Sequence, residues 1–221
     1  MSAKAIREYH GKKMVSRWLS KYSGNETYDL EDRALLITSS SFNNTKNMDD
    51  VFEDYESSHS WVKECKLVVK PDQLIKRRGK AGLLGINLTW PQVVLWIKER
   101  MGKEQQVEIV SGTLDTFIVE PFVPHDQSDE YYLCIQSFRT NDEILFYHQG
   151  GVDVGDVDSK GVRLSIPLDE VPTLRSLMKL ISNVPESRQN TLAGFILALF
   201  QLFRELNYVY MEINPLVMTN D

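Results

Sequence analysis

Three short segments of this chain combine charged, polar and glycine or proline residues in patterns suited to ligand binding. The first runs from Lys70 through Pro71, Asp72 and Gln73 to Lys80, and places Lys70, Lys76, Arg77, Arg78 and Lys80 around Gly79. Clustered cations beside a glycine, whose bare backbone lets a ligand approach N–H groups closely, suit a polyphosphate tail. The same residues would serve equally as a solvated basic face or a nuclear-import patch. Neither a GxxxxGKS/T nor a GxGxxG pattern occurs, so no P-loop or Rossmann fingerprint supports the nucleotide reading.

The second segment is Glu120-Pro121-Phe122-Val123-Pro124, followed by Asp129 and Glu130. A strand ending at Pro-x-x-Pro leaves backbone groups that an adenine edge could bond, while a carboxylate takes the ribose hydroxyls. Without context a plain strand-ending turn explains the same residues better. The third is Met211-Glu212-Ile213-Asn214-Pro215. Strand side chains alternate, so Glu212 and Asn214 share a face, and a carboxylate with an amide oxygen is hard-ligand chemistry suited to Mg2+. An exposed edge pair is the equal alternative. Asp153, Asp156 and Asp158 lack EF-hand spacing, and His10, His59, His125 and His148 show no HExxH pattern or cysteine partner. No GxSxG elbow supplies a nucleophile.

Composition bounds the rest. The chain has 221 residues, of which 42% are apolar and 25% charged, ordinary values for a folded domain rather than a disordered one. Its net charge of −6 argues against nucleic acid as the main partner. Cys65 and Cys134 form neither a disulfide framework nor a zinc pattern and fit reduced thiols in the cytosol. The first residues lack the apolar stretch of a secretory signal, and the most apolar window, Leu192 to Leu206, is too short to span a membrane and reads as a buried core helix.

Several elements must position these segments. Ser2 could cap a first helix whose apolar stripe, Ile6, Tyr9, Met14, Val15, Trp18 and Leu19, continues to about Tyr22 and should lie on a sheet. Residues 23–60 read as a polar, acidic segment of loop composition, apart from a strand over Ala34 to Thr38. Lys66 to Lys70 predicts a strand, and Thr89 and Pro91 open a helix ending near Gly102. Thr116–Glu120, Tyr131–Phe138 and Glu143–His148 predict an antiparallel sheet, the last two joined by a turn at 139–142. Helices at about Pro172–Ser182 and Glu186–Asn207 and a strand over Tyr208–Met218 complete a mixed α/β order of two lobes.

Taken together, Val68 to Lys80, Glu120 to His125, the loop Gly150 to Asp158 and Glu212 to Leu216 resemble, in order, the N-terminal ATP-grasp portion of ATP-citrate lyase. Met1 to Ile6 also looks like that family's start, residues 23–60 match poorly, and the succinyl-CoA synthetase β subunit is a more distant relative. The resemblance implies an α/β ATP-grasp fold with two lobes around a nucleotide cleft, residues 1–221 forming one ATP-grasp domain that is incomplete at its C-terminal end, with a variable polar segment at about 23–60. It implies that Lys70, Arg78 and Gly79 hold nucleotide phosphates, that Pro121 and Val123 contact adenine, that Glu130 takes the ribose, and that Asn214 and Glu212 serve Mg2+. The implied reaction phosphorylates a histidine from Mg-ATP, passes the group to citrate, and yields acetyl-CoA and oxaloacetate after coenzyme A attack. The resemblance places the histidine, the citrate and coenzyme A sites, and a further magnesium-binding aspartate beyond Asp221. Turnover by these residues alone is not expected. The alternative is a non-catalytic paralogue that docks on full-length lyase subunits or associates with itself, with no nucleic-acid or membrane partner.

Overall fold

The computed structural model describes residues 4–42, 47–75, 78–79, 81–107, 110–151 and 154–219. The expected cap Ser2, the polar residues Asn43, Asn44 and Thr45, the cations Lys76, Arg77 and Lys80, and Val152, Asp153 and Asp221 lie outside the described residues. The chain divides into two compact units, Lys4–Lys13 with Glu31–Val123, and Met14–Leu30 with Pro124–Asp221.

In chain order, the first elements are α1 (Glu8–Trp18), β1 (Leu35–Thr38), α2 (Met48–Ser58), α3 (Trp61–Glu64), β2 (Leu67–Pro71), β3 (Gly85–Leu88), α4 (Trp90–Lys98), β4 (Glu104–Val107), β5 (Val110–Thr113) and β6 (Thr116–Pro121). Strands β1, β6, β2 and β3 form an antiparallel sheet in that order, and β4 and β5 form a separate hairpin. Leu35 and Ile37, Leu67 and Val69, and Phe117 and Val119 share one face and pack with Phe52, Val62, Trp90, Val93 and Ile97. Alternation then directs Lys70, Thr116 and Glu120 to the opposite face, which makes room there for charged side chains without interrupting the core.

Helix α4 begins as its sequence predicts. The Thr89 N–H and hydroxyl donate to Gln92 Oε1 at 2.8 and 3.0 Å, and Pro91 occupies the first turn. The expectation for residues 23–60 is corrected at α2. Asn47 Oδ1 accepts from the Asp50 N–H at 2.9 Å, Asp49 and Asp50 complement the helix dipole, and Val51 and Phe52 are buried. Acidic residues that read as loop composition are the first turn of a helix. Helix α1 also starts later than expected, at Glu8, and no α1 residue is fully buried. Its second residue, Tyr9, donates its N–H to Asp72 Oδ1 at 3.3 Å, so the cap comes from the end of β2.

The second unit comprises β7 (Glu130–Ser137), β8 (Asn141–Tyr147), α5 (Val157–Lys160), β9 (Val162–Pro167), α6 (Leu174–Leu180), α7 (Glu186–Glu205) and β10 (Tyr210–Val217). Its antiparallel sheet runs in the order β10-β7-β8-β9. The predicted β7–β8 hairpin forms, whereas Thr116–Pro121 joins the other sheet because its backbone is paired on both sides by β1 and β2. Tyr131, Leu133, Ile135, Ile144 and Phe146 form one face of a core completed by Leu177 and Leu180 of α6 and by Leu192, Ile196, Leu199, Phe200 and Phe203 of α7. The apolar window is thus a core helix, and among the described residues no helix is long and apolar enough to cross a membrane. Cys65 and Cys134 are unbridged.

Arg204 at the end of α7 ties this unit together. Its Nε donates to Asp142 Oδ2 at 2.7 Å and one terminal nitrogen donates to the Pro167 carbonyl at 3.0 Å. Asp142 is only 3% exposed, so removing its cation leaves a buried carboxylate without its compensating charge. Arg204→Met is expected to lower unfolding free energy by about 3 kcal/mol, and the double variant with Asp142→Asn to recover much of that loss, as read by urea denaturation.

Candidate functional site

In the first unit the opposite face of the β2–β6 pair carries a compact ion cluster. Lys70 on β2 stands diagonal to Glu120 on β6, because Lys70 pairs with Ile118 and Val68 with Glu120. Lys70 Nζ donates to Glu120 Oε2 at 2.8 Å and to Glu8 Oε1 at 2.6 Å. Arg78 donates to the other Glu8 oxygen at 2.8 Å and to the Pro71 carbonyl at 2.8 Å, which fixes the guanidinium to the end of β2. Lys12, one turn after Glu8, donates to Glu120 Oε1. Among the described residues, three cations therefore surround two carboxylates.

Burial alone would raise both carboxyls and depress the lysine. Instead the charges of Lys70, Lys12 and Arg78 hold Glu8 well below the usual carboxylate range, and Lys70 and Lys12 hold Glu120 down. Glu120 and then Glu8 in turn raise the Lys70 ammonium above its ordinary value. A largely buried cation kept charged in this way is what an anionic ligand needs to find already in place.

The second unit brings Glu130 and Asn214 to one glycine. The Gly150 N–H donates to the Glu130 carbonyl at 2.8 Å, and the Gly151 N–H donates to Asn214 Oδ1 at 2.8 Å. Gly151 has φ +93°, and a Cβ there would lie 2.1 Å from Glu130 Oε2. Only glycine allows the loop to sit on that carboxylate. The other Glu130 oxygen is 3.0 Å from His125 Nε2. Along β10 exposure alternates as the strand period requires, with Tyr210, Glu212 and Asn214 exposed and Met211 and Ile213 half-buried. The Glu212 carboxylate accepts from the Tyr210 hydroxyl, and Glu212 pairs in register with Cys134. Local desolvation of the hydroxyl, in a side chain otherwise half exposed, and then the Glu212 hydrogen bond push the Tyr210 phenol up, and burial pushes the Cys134 thiol up to about 11. That thiol is protonated at neutral pH and no nucleophile.

The expected site residues thus fall into separate groups. Lys70 and Arg78 meet on Glu8, while Gly79 lies in the turn after Arg78 with its carbonyl accepting from the Gly82 N–H at 3.1 Å. Pro121 is buried and pairs with Leu67, and the following Phe122 N–H donates to the Lys66 carbonyl at 2.7 Å. The β2–β6 ladder therefore continues past Pro121, which takes up one backbone donor expected to be open near Val123. Glu130 and Asn214 share Gly151, and Glu212 stands two residues earlier on the same face as Asn214. Among the described residues no three His, Cys, Asp or Glu side chains converge as a metal site. Sequence reasoning missed Glu8 and Lys12 as cluster members. Their helical i, i+4 spacing was visible, but the cation pair that Glu8 serves includes Arg78, 70 residues away. It also assigned no role to Glu120 or Gly151.

The cluster makes stability pH-dependent. Glu8 and Glu120 have folded-state values below the ordinary glutamate value of 4.5, so their contribution is present above that pH and is lost as pH falls further. Asp72, raised mainly by burial, acts in the opposite sense and offsets part of the loss. The unfolding midpoint in urea is expected to drop between pH 5 and pH 3, and the drop to be shallower in Glu8→Gln, as followed by circular dichroism.

Comparison with known proteins adds the family. A family model described as the ATP-citrate synthase ATP-grasp domain matches residues 2–221. The chain is 44% identical to the probable ATP-citrate synthase subunit 2 of Schizosaccharomyces pombe, covering 99% of this chain and 48% of that protein. It is 42% identical to the ATP-citrate synthase of Homo sapiens, covering 100% of this chain and 19% of that protein. It therefore spans about half the length of the first relative and about a fifth of the second. The solved structure of ATP citrate lyase from Methanothrix soehngenii, in complex with citrate and coenzyme A, superposes with a TM-score of 0.79 at 28% identity, over 99% of this chain and 48% of that one. With a match along nearly its whole length and this fold, the chain belongs to the ATP-citrate synthase ATP-grasp domain family.

Proposed function

We propose that this chain binds ATP with Mg2+ and acts as the phosphoryl-donating portion of an ATP-citrate lyase, the enzyme that converts citrate, coenzyme A and ATP to acetyl-CoA, oxaloacetate, ADP and phosphate. The observation that carries the proposal is the Lys70–Arg78 pair. Two cations, one nearly buried, converge on the two oxygens of a single carboxylate, as they would on two oxygens of a phosphate. Family membership supplies the nucleotide.

On this reading Lys70, Arg78 and the Gly79 backbone hold the phosphates, Pro121 and Val123 border the adenine, and Glu130 takes the ribose hydroxyls. His125 and the Gly150–Gly151 loop orient the Glu130 carboxylate. The oxygens of Asn214 and Glu212 fit a hard cation that takes its other ligands from phosphate and water, as Mg2+ commonly does. When bound, that ion neutralises charge on the transferring group. Phosphoryl transfer needs positioning and charge neutralisation more than covalent help, and these residues offer both. The histidine acceptor, citrate and coenzyme A would be served by other parts of a larger enzyme. We place the protein in the cytosol, where Cys65 and Cys134 would remain reduced, as they stand here.

Mg-ATP at one hundred times its dissociation constant is expected to stabilise the fold by about 2.7 kcal/mol, a rise of several degrees in Tm by differential scanning fluorimetry. Lys70→Met should abolish the shift while Cys65→Ser keeps it. No shift at millimolar Mg-ATP in the unsubstituted chain would refute nucleotide binding.

A further inference from the structure

We propose that Glu8 is a built-in competitor for the anion position of the Lys70–Arg78 pair, so that a phosphate-bearing ligand binds by displacing this carboxylate together with the first turn of α1. The inference rests on the nucleotide reading and specifies what sets its affinity.

Four observations lead to it. Glu8 presents one oxygen to Lys70 at 2.6 Å and the other to Arg78 at 2.8 Å, so its carboxylate takes the donors that a phosphate would use. Lys70 would keep one carboxylate if Glu8 left, because Glu120 meets the same ammonium at 2.8 Å. With Glu8 in place, the three cations and two carboxylates of the cluster among the described residues leave a single positive charge, too little to offset a nucleoside triphosphate. With Glu8 withdrawn, that excess doubles.

The fourth observation is how lightly the first turn is held. No α1 residue is fully buried, and Ile6 just before the helix is 41% exposed. Apart from the ion cluster, the turn's attachments among the described residues are polar: Arg7 donates to Thr116 Oγ1 at 3.0 Å, Tyr9 N–H donates to Asp72 Oδ1 at 3.3 Å, and the Glu8 N–H also faces the Asp72 carboxylate. Asp72 is 1% exposed and its second oxygen has no hydrogen-bond partner among the described residues, so this capping residue is itself in a costly setting. Polar contacts without apolar burial describe a segment that opens locally before the sheet beneath it does.

The test is isothermal titration calorimetry of Mg-ATP, and separately of inorganic tripolyphosphate, into the unsubstituted chain and into Glu8→Gln at fixed ionic strength. Glutamine keeps the shape and an oxygen for Lys70 but removes the competing charge. The apparent dissociation constant should fall about tenfold in Glu8→Gln if the open form is about a tenth of the population. Amide hydrogen exchange on the unsubstituted chain gives a second reading that needs no variant, since ligand should speed exchange at residues 8–13. Equal or weaker binding in Glu8→Gln, or added protection of residues 8–13 by ligand, would overturn displacement while leaving nucleotide binding intact. Failure of the unsubstituted chain and of the variant to bind either ligand would instead remove the nucleotide reading, and this inference with it.

Discussion

A lysine ammonium withdrawn from water beside a hydrophobic sheet must be compensated, and much of the first unit follows from how this chain compensates Lys70. Strand alternation sends Leu67 and Val69 into the core and Lys70 to the other face, where Glu120 on the neighbouring strand lies diagonally within reach. One carboxylate beside several cations would leave charge excess in a poorly solvated place. Glu8 of α1 supplies a second, and Lys12 one turn later closes the cluster on Glu120. The position of the first helix is thus tied to the charge of one strand residue.

The second unit uses a different device. Its candidate residues are held by a close backbone approach rather than by opposing charges. The Gly150–Gly151 loop lies so near β7 that a Cβ at Gly150 would fall 2.4 Å from the Tyr131 carbonyl oxygen. Asn214 clamps the same loop through the Gly151 N–H. Glu130 and Asn214, far apart in sequence, become neighbours through a segment whose contribution is the absence of side chains. In both units a residue assigned to ligand binding is already occupied by the protein itself. A ligand would therefore exchange partners rather than fill unpaired groups.

Much of the fold was legible in particular residues. Thr89 and Pro91 mark the start of α4, the turn at 139–142 marks the β7–β8 hairpin, and the crowded apolar run from Leu192 marks a helix buried on most faces. Where the reading failed, a local signal had two meanings. Asp49 and Asp50 suit a solvated loop and a helix N-terminus alike, and the Asn47 cap decides between them only together with the burial of Val51 and Phe52. Strand β3 is short with Ile86 and Asn87 exposed, and β9 buries only Ile166 fully, which weakens the apolar pattern that would announce them. Thr116–Pro121 looked like a member of the later sheet because it precedes those strands in the chain. Its partners came from earlier in the sequence.

Local sequence suffices to name the chemically capable residues: Lys70, Arg78 and Gly79 in a basic turn, Glu130 after a proline segment, and Glu212 with Asn214 on one strand face. It determined these because residue type and local period are properties of neighbouring positions. Which of those groups share a partner is settled by folding. Lys70 and Arg78 are joined by Glu8, and Glu130 and Asn214 by Gly151, pairings across long stretches of chain that exist once burial has fixed which face of each strand meets the core. Electrostatic energy depends on distance in space, and a linear sequence carries distance only along the chain.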